Sequence, residues 1–325
     1  MSTITIENRE STRIAALWHR LWNSNRLLAL SAAVYAVMFV AMLGLSIFDG
    51  REVVGAPVWF KPMKFALSGV LYTVTLAWML GFVQRWRRLG RFVGGLTAVA
   101  LFVEIGLIVF QAARGVPSHF NASTPFDEAV FSAMGLTILV VWAGNLLAAV
   151  LLAGQRMEDR PLAWAIRLAL VVTAAGAALG MLMVRPTPDQ LGQMQAGGAP
   201  ALVGAHSVGV QDGGAGLPFT GWSTEGGDLR VPHFVGLHAL QALPLAAVLI
   251  NRFGRALNRR RRTALVWIAG LAYGGLIGLL TWQALRGQPL VAPDALTLAA
   301  LGGLLGLTLA AGTAVVAPGK LRKQA

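Results

Sequence analysis

The stretch LLALSAAVYAVMFVAMLGLSIF, Leu27 to Phe48, decides the fold: it is continuously apolar and carries no charged side chain. As a helix rising about 1.5 Å per residue it covers the roughly 30 Å hydrocarbon core of a bilayer. Arg26 precedes it and Asp49-Gly50-Arg51 follows, so charge closes both ends. It is too long for the apolar part of a cleavable signal peptide and no A-x-A site follows, so it reads as a retained anchor.

Comparable stretches recur near 63–83, 92–113, 128–153, 163–184, 232–250, 264–284 and 295–316. The 325-residue chain is 56% hydrophobic and 13% charged, about half the charged fraction of a soluble domain. The expected fold class is an all-α membrane protein, an eight-helix transmembrane bundle. Residues 1–26 form a cytoplasmic amphipathic segment and 27–153 a first four-helix unit. Residues 154–316 form a second, with a long outer loop at 185–231, and 317–325 a cytoplasmic tail.

Charge fixes the expected orientation. With the N-terminus inside, the inner segments hold Arg9, Arg13, Arg20 and Arg26, then Arg85, Arg87, Arg88 and Arg91, then Arg156, Arg160 and Arg167. They continue with Arg252, Arg255, Arg259 to Arg262, Lys320, Arg322 and Lys323. The outer segments hold only Arg51, Lys61, Lys64, Arg114, Arg185, Arg230 and Arg286. This is the positive-inside pattern of a cytoplasmic-membrane protein with both termini in the cytoplasm. The net charge of +13 therefore reports topology rather than a nucleic-acid partner, and the bilayer is the evident partner. With no cysteine, the chain has no thiolate ligands and no cysteine nucleophile. Ahead of the first span, Ile14, Leu17, Trp18, Leu21 and Trp22 repeat at helical spacing beside Arg13 and Arg20, the pattern of an interfacial helix.

Gly176-x-x-x-Gly180, Gly274-x-x-x-Gly278 and Gly302-x-x-x-Gly306 are candidate close helix contacts. Pro244 is expected to kink the sixth span. Gln111-Ala-Ala-Arg-Gly-Val-Pro117 at the end of span three is echoed by Gln283-Ala-Leu-Arg-Gly-Gln-Pro289 at the end of span seven. Pro125-x-Asp127 is echoed by Pro293-Asp294, and Phe60 and Lys64 align with Phe234 and His238. These matches suggest an internal duplication into two parallel four-helix repeats. Glu104 would then align with Leu276, so the halves differ where chemistry would lie.

Polar residues inside the apolar spans are the candidate site. Glu104 lies midway through span three, with Gln111 seven residues on, so both share a helix face that points outward toward Arg114. An intramembrane carboxylate is expensive, and it either carries a proton or ligand or is protonated and hydrogen-bonded for packing. His238 and Gln241 sit three apart on span six, and His119 follows span three. Ligand-binding residues are therefore expected among Glu104, Gln111, Arg114, His119, His238 and Gln241, with no metal assigned and the cofactor unknown. No His-x-x-x-His or Glu-x-x-His occurs. Lys61 is expected to snorkel, while Lys64 points deeper, to pair with Glu104 or to bind an anion. The loop at 185–231, with His206, Leu217, Phe219 and Trp222, reads as flexible or as a lid.

Three segments carry a resemblance: Gln111 to Asn121, Gly221 to Arg230 and Pro232 to Gln241. They resemble a group of uncharacterised bacterial membrane proteins of no established activity, which implies a bacterial origin and no catalytic residues. The architecture is also similar to haem A synthase in having eight spans from a doubled four-helix unit. That family pairs histidines in helices of both halves, and this sequence has none in spans two, four and eight. The expected functions are an outward-opening protein binding an amphipathic small molecule or redox cofactor, a proton-coupled transporter, or a non-catalytic scaffold. For transport, Asn145 and Tyr273 are the inner-half polar candidates.

Overall fold

The computed structural model describes residues 15–317. Residues 15–24 are helical (α1), with Leu21 buried and Leu17 and Trp18 exposed. Arg13, Ile14, Lys320, Arg322 and Lys323 lie outside the described residues.

The long helices follow in order as α2 (Arg26–Phe48), α3 (Phe60–Leu80), α4 (Arg87–Arg114), α5 (Pro125–Ala153) and α6 (Arg160–Ala178). After the short α7 (Gly180–Met183) and α8 (Pro188–Gln195) come α9 (Arg230–Leu237), α10 (Ala239–Phe253), α11 (Arg259–Leu285) and α12 (Ala295–Val316). Two hairpins complete the set: β1 (Glu52–Val53) with β2 (Ala56–Pro57), and β3 (Ser207–Val208) with β4 (Gly227–Asp228), both antiparallel. Among the described residues seven helices are long and apolar enough to span a membrane, α6 and α7 counting together. The bent pair α9–α10 makes the eighth if it crosses as one broken span.

The chain divides into two compact units. Unit 1 is the chain up to Gln155 with residues 181–206 and 211–221; unit 2 is 156–180, 207–210 and 222 onward.

In unit 1 the neighbouring helices are α2–α3, α3–α4, α4–α5 and α2–α4. Small residues set their spacing: a side chain at Gly69 would strike the Tyr35 ring at 2.8 Å, and one at Gly94 the Asn25 amide at 2.5 Å. At the arginine-rich end, Asn25 caps α2 by accepting from the Leu28 amide and donates to the Arg91 carbonyl. There Gln155 Oε1 accepts from the Gln84 and Arg85 amides, closing the α3–α4 turn. At the opposite, hairpin end, Arg51 pairs with Asp49 and donates to the Ala113 carbonyl of α4. Arg51, and then the Trp59 indole, hold the Asp49 carboxyl well below the usual carboxylate range.

Most of the segment predicted as one long loop is built. Thr187 and Gln190 form a capping box that starts α8, and Gln190 bonds Gly204 in both directions. Residues 201–205 then run along the α4–α5 loop, with Ala122 donating to the Ala201 carbonyl and Val203 to the Phe120 carbonyl. Lys64 Nζ donates to the Thr220 carbonyl at 2.8 Å.

In unit 2 the neighbours are α6 with α9 and α10, α11 with α9 and α10, α11–α12, and α6–α11. Gly176 and Gly236 bring α6 and α9 to backbone contact, since a Cβ on Gly176 would lie 2.5 Å from Gly236 Cα. Gly180, the other half of that motif, faces the His233 ring at 3.2 Å. The motifs at Gly274 and Gly302 meet no neighbour within 4 Å.

The span that holds Pro244 is bent, as expected. The α9–α10 pair bends by 49° at His238, on the N-terminal side of the proline, whose ring and missing N–H act on the preceding turn around Leu240. Carbonyls of the last α9 turn are drawn away as well. Tyr273 donates to the Val235 carbonyl at 2.7 Å and Thr173 to the Leu237 carbonyl at 3.4 Å, so neighbouring side chains take over acceptors of the helical ladder.

The ends of α4 and α11 share one construction. Gly115 and Gly287 both have φ 72°. Gly115 and Val116 donate back to Ala112 and Gln111, as Gly287 and Gln288 do to Ala284 and Gln283. Arg114 pairs with Asp127 and stacks over Phe110; Arg286 pairs with Asp294 and stacks over Trp282.

Candidate functional site

The predicted site residues fall in both units: Glu104, Gln111, Arg114 and His119 in unit 1, His238 and Gln241 in unit 2. Each set is described on its own.

In unit 1, α4 presents Gln111, Glu104 and Thr97 at seven-residue spacing, each 1% exposed or less. Two helical turns cover seven residues, so these side chains stack on one face, and that face meets α5. Opposite them α5 carries buried Asp127, then Thr137, then buried Asn145. Gly144 makes room for Thr97, whose Oγ1 a side chain there would strike, and that Oγ1 has no hydrogen-bond partner. The α4–α5 contact is thus a polar seam inside an otherwise apolar pair of helices.

The hairpin end of the seam is closed. Gln111 donates to Asp127 at 2.9 Å, Arg114 bonds both of them, and Thr124 adds a third contact to the carboxylate. Gln111 and Arg114 are therefore already engaged by Asp127, a partner the sequence reading placed in the loop.

Glu104 is different. It is 1% exposed, with Oε2 2.8 Å from Thr137 Oγ1 and Oε1 without any hydrogen-bond partner. His119 Nε2 stands 3.9 Å from that oxygen, too far for a hydrogen bond and close enough for charge pairing. The loop after α4 does fold inward, as a role for His119 requires. Lys64 Nζ donates to the Thr220 carbonyl.

His119 is held among Phe65, Phe120 and Phe131 with ring centroids about 6 Å away, and Ser118 Oγ lies 3.1 Å from its Nδ1. Phe120 adopts φ 63°, a left-handed conformation uncommon for a bulky residue. Its other face packs on the His206 ring at 4.9 Å, and His206 Nδ1 is 2.6 Å from Asp212. Two carboxylate–imidazole pairs, Glu104–His119 and Asp212–His206, thus flank one strained phenylalanine. Sequence gave no signal for the second pair beyond the presence of both residues in one loop.

In unit 2, His238 sits at the break between α9 and α10, with Nδ1 3.2 Å from Gln241 Oε1 and its ring 4.4 Å from Phe234. A broken helix within a membrane is tolerated where protein or a cavity surrounds it. His233 is committed to the helix crossing through the Gly176 carbonyl at 2.8 Å. Tyr273, expected as an inner polar group, belongs to this unit and is engaged by Val235. Among the described residues no group of three or more His, Asp or Glu side chains is placed to hold a metal ion.

The chain is an integral multi-pass membrane protein. Comparison with known protein families, curated proteins and solved structures finds no match to it.

Proposed function

We propose that this protein binds a small amphipathic molecule at Glu104 and His119 and links that binding to transfer of a proton. One observation carries the reading: the buried Glu104 Oε1 has no hydrogen-bond donor and lies 3.9 Å from the His119 imidazole. A buried acceptor left unmade costs about 1–3 kcal/mol, more when charged, so Oε1 is completed by a ligand's donor. Thr137 supports the proton. Its single hydroxyl hydrogen faces both Glu104 Oε2 at 2.8 Å and the Met134 carbonyl at 2.9 Å. Both contacts are made only if Glu104 donates. The three phenylalanines around His119 suit a flat ring, of which a quinone or quinol head is the redox instance.

The arginine-rich ends are cytoplasmic on this reading, which makes the hairpin end the outward side of a bacterial cytoplasmic membrane. Gln111 and Arg114 support the site from above, and His238 with Gln241 is its counterpart in unit 2. The two units descend from one duplicated four-helix repeat. In support, both have the same helix neighbours and the same Gln-Ala-x-Arg-Gly helix end paired to an aspartate.

A second reading, proton-coupled transport, is favoured by the continuation of the seam past Glu104 to Thr97 and Asn145. The test begins with an absorption spectrum of purified protein, oxidised and dithionite-reduced, to detect a retained cofactor. Calorimetric binding of decyl-substituted benzoquinone and benzoquinol follows, in buffers of different ionisation enthalpy. The wild type is expected to exchange a proton on binding, and E104Q to bind without that exchange. Proton-independent binding in the wild type would overturn the proposal. Flux into liposomes that T97V/N145L abolishes, without probe binding, would move the assignment to transport.

A further inference from the structure

At the arginine-rich end of unit 1 a small cleft opens between the start of α2, the end of α3 and the first turns of α4. Asn23, Ser24, Gly81, Arg87, Gly90 and Arg91 line it. It lies where the apolar spans stop: α2 begins at Arg26, α3 ends at Leu80 and α4 begins at Arg87. That is the depth of lipid headgroups, whichever leaflet this end faces.

The charge on these walls is one-sided. The first turn of α4 contains no acidic residue, and its N-cap, Trp86, supplies no side-chain hydrogen bond. Arg87 and Arg88 occupy that turn, with Arg91 one turn further on. A helix N-terminus carries partial positive charge, so stacking guanidinium groups on it is unfavourable without an anion. Among the described residues no carboxylate pairs with Arg87 or Arg91. At the opposite wall the Ser24 hydroxyl gives its one hydrogen to the Ala77 carbonyl, so Ser24 shapes the cleft without donating into it. Two guanidinium groups and a helix start around one small cleft are donors that a phosphate diester or monoester takes.

The surface beside the cleft fits the rest of a lipid. Leu89 and Phe92, on the outward side of the same α4 turns, are 42% and 65% exposed. Trp86 is 60% exposed, stacked against Arg85, and held in a left-handed conformation at φ 70°. An exposed tryptophan at the end of a span is an interfacial anchor. Phosphate in the cleft, acyl chains along Leu89 and Phe92, and Trp86 at the carbonyl level account for the charge and the apolar exposure together. Free inorganic phosphate would account only for the charge.

We propose that the cleft closed by Arg87, Arg91 and Ser24 binds the phosphate of one anionic phospholipid. The site is separate from Glu104 and independent of the function assigned there.

The experiment uses the full chain in detergent and native mass spectrometry, titrated with dioleoyl phosphatidylglycerol, dioleoyl phosphatidylcholine or inorganic phosphate. The wild type is expected to retain one phosphatidylglycerol per chain in preference to phosphatidylcholine. At about 1 kcal/mol per interfacial arginine, R87Q/R91Q should weaken that retention roughly 30-fold. R88Q removes a charge from the same helix turn outside the cleft lining and should weaken it by no more than the roughly fivefold that one interfacial charge contributes. Equal retention of the two lipids by the wild type would overturn the proposal without reference to any variant's folding. It is also overturned if R88Q and R87Q/R91Q weaken binding alike, or if inorganic phosphate competes the lipid away at equal concentration.

Discussion

Replacing Gly176 with alanine tests the account of unit 2 most directly. The new Cβ would lie 2.5 Å from both Gly236 Cα and Gly236 C. Carbon atoms in ordinary contact are about 3.5–4.0 Å apart, so α9 must retreat by about 1 Å or more. Neither atom can rotate away, because both belong to the backbone. The retreat strains two bonds that hold the crossing, His233 to the Gly176 carbonyl at 2.8 Å and Thr173 to the Leu237 carbonyl at 3.4 Å. Overpacking of this kind costs about 1–3 kcal/mol, and a lost hydrogen bond about 1 kcal/mol more. The expected loss is therefore about 2–4 kcal/mol. Gly274→Ala is the matched control, since nothing lies within 4 Å of its Cβ position. It should be neutral or stabilise by up to about 1 kcal/mol through helix propensity. Unfolding in mixed micelles, followed by far-ultraviolet circular dichroism, measures both. G236A should cost about as much as G176A, and the double variant less than their sum, because the residues share one contact. If G176A and G274A agree within about 0.5 kcal/mol, the surface-substitution range, the backbone crossing described here is wrong.

Three further outcomes are expected. E104Q, whose amide can donate to Thr137 as a protonated carboxyl would, should leave stability within about 1 kcal/mol, whereas E104A should lose about 2 kcal/mol or more; chemical unfolding separates them. Y273F and T173V each free a carbonyl at the His238 break, costing about 1–3 kcal/mol apiece, and amide exchange at 235–241 should quicken; unchanged exchange in both would remove the part assigned to these two side chains in the bend. Asp294 is held below the usual carboxylate range by Arg286 first, then by the Thr297 amide and hydroxyl. Its contribution is accordingly full above about pH 4 and fades as the pH falls further, so D294N should flatten the acid side of the melting-temperature profile.

The spans were legible because the bilayer imposes a length and sorts charge, two properties written locally in any membrane sequence. Leu27 to Phe48 needed nothing but itself, and its helix runs Arg26–Phe48. A bend in the sixth span was legible from Pro244. Its placement at His238 was not, because Thr173 and Tyr273, which draw on the Leu237 and Val235 carbonyls, lie on other helices. Glu104 stood out by its solvent alone, but its partner required knowing that the loop after α4 turns inward. Lys64 was singled out by its depth on one helix, whereas its bond to the Thr220 carbonyl joins segments far apart in sequence. The capping box at Thr187 and Gln190 was present in the sequence as Thr-x-x-Gln, and it was the available sign that the long loop contains a helix.

The division of the chain has a consequence for its synthesis. The backbone passes from one unit to the other five times, at 155/156, 180/181, 206/207, 210/211 and 221/222. No single cut yields two complete pieces. When the ribosome has delivered the first four long helices, unit 1 still lacks residues 181–206 and 211–221, which emerge only after α6. Phe120 must therefore wait for His206, and the packing beside His119 is finished only after a helix of the other unit has been made. A truncated product ending after α5 would keep Glu104 and lose the packing on the far side of Phe120.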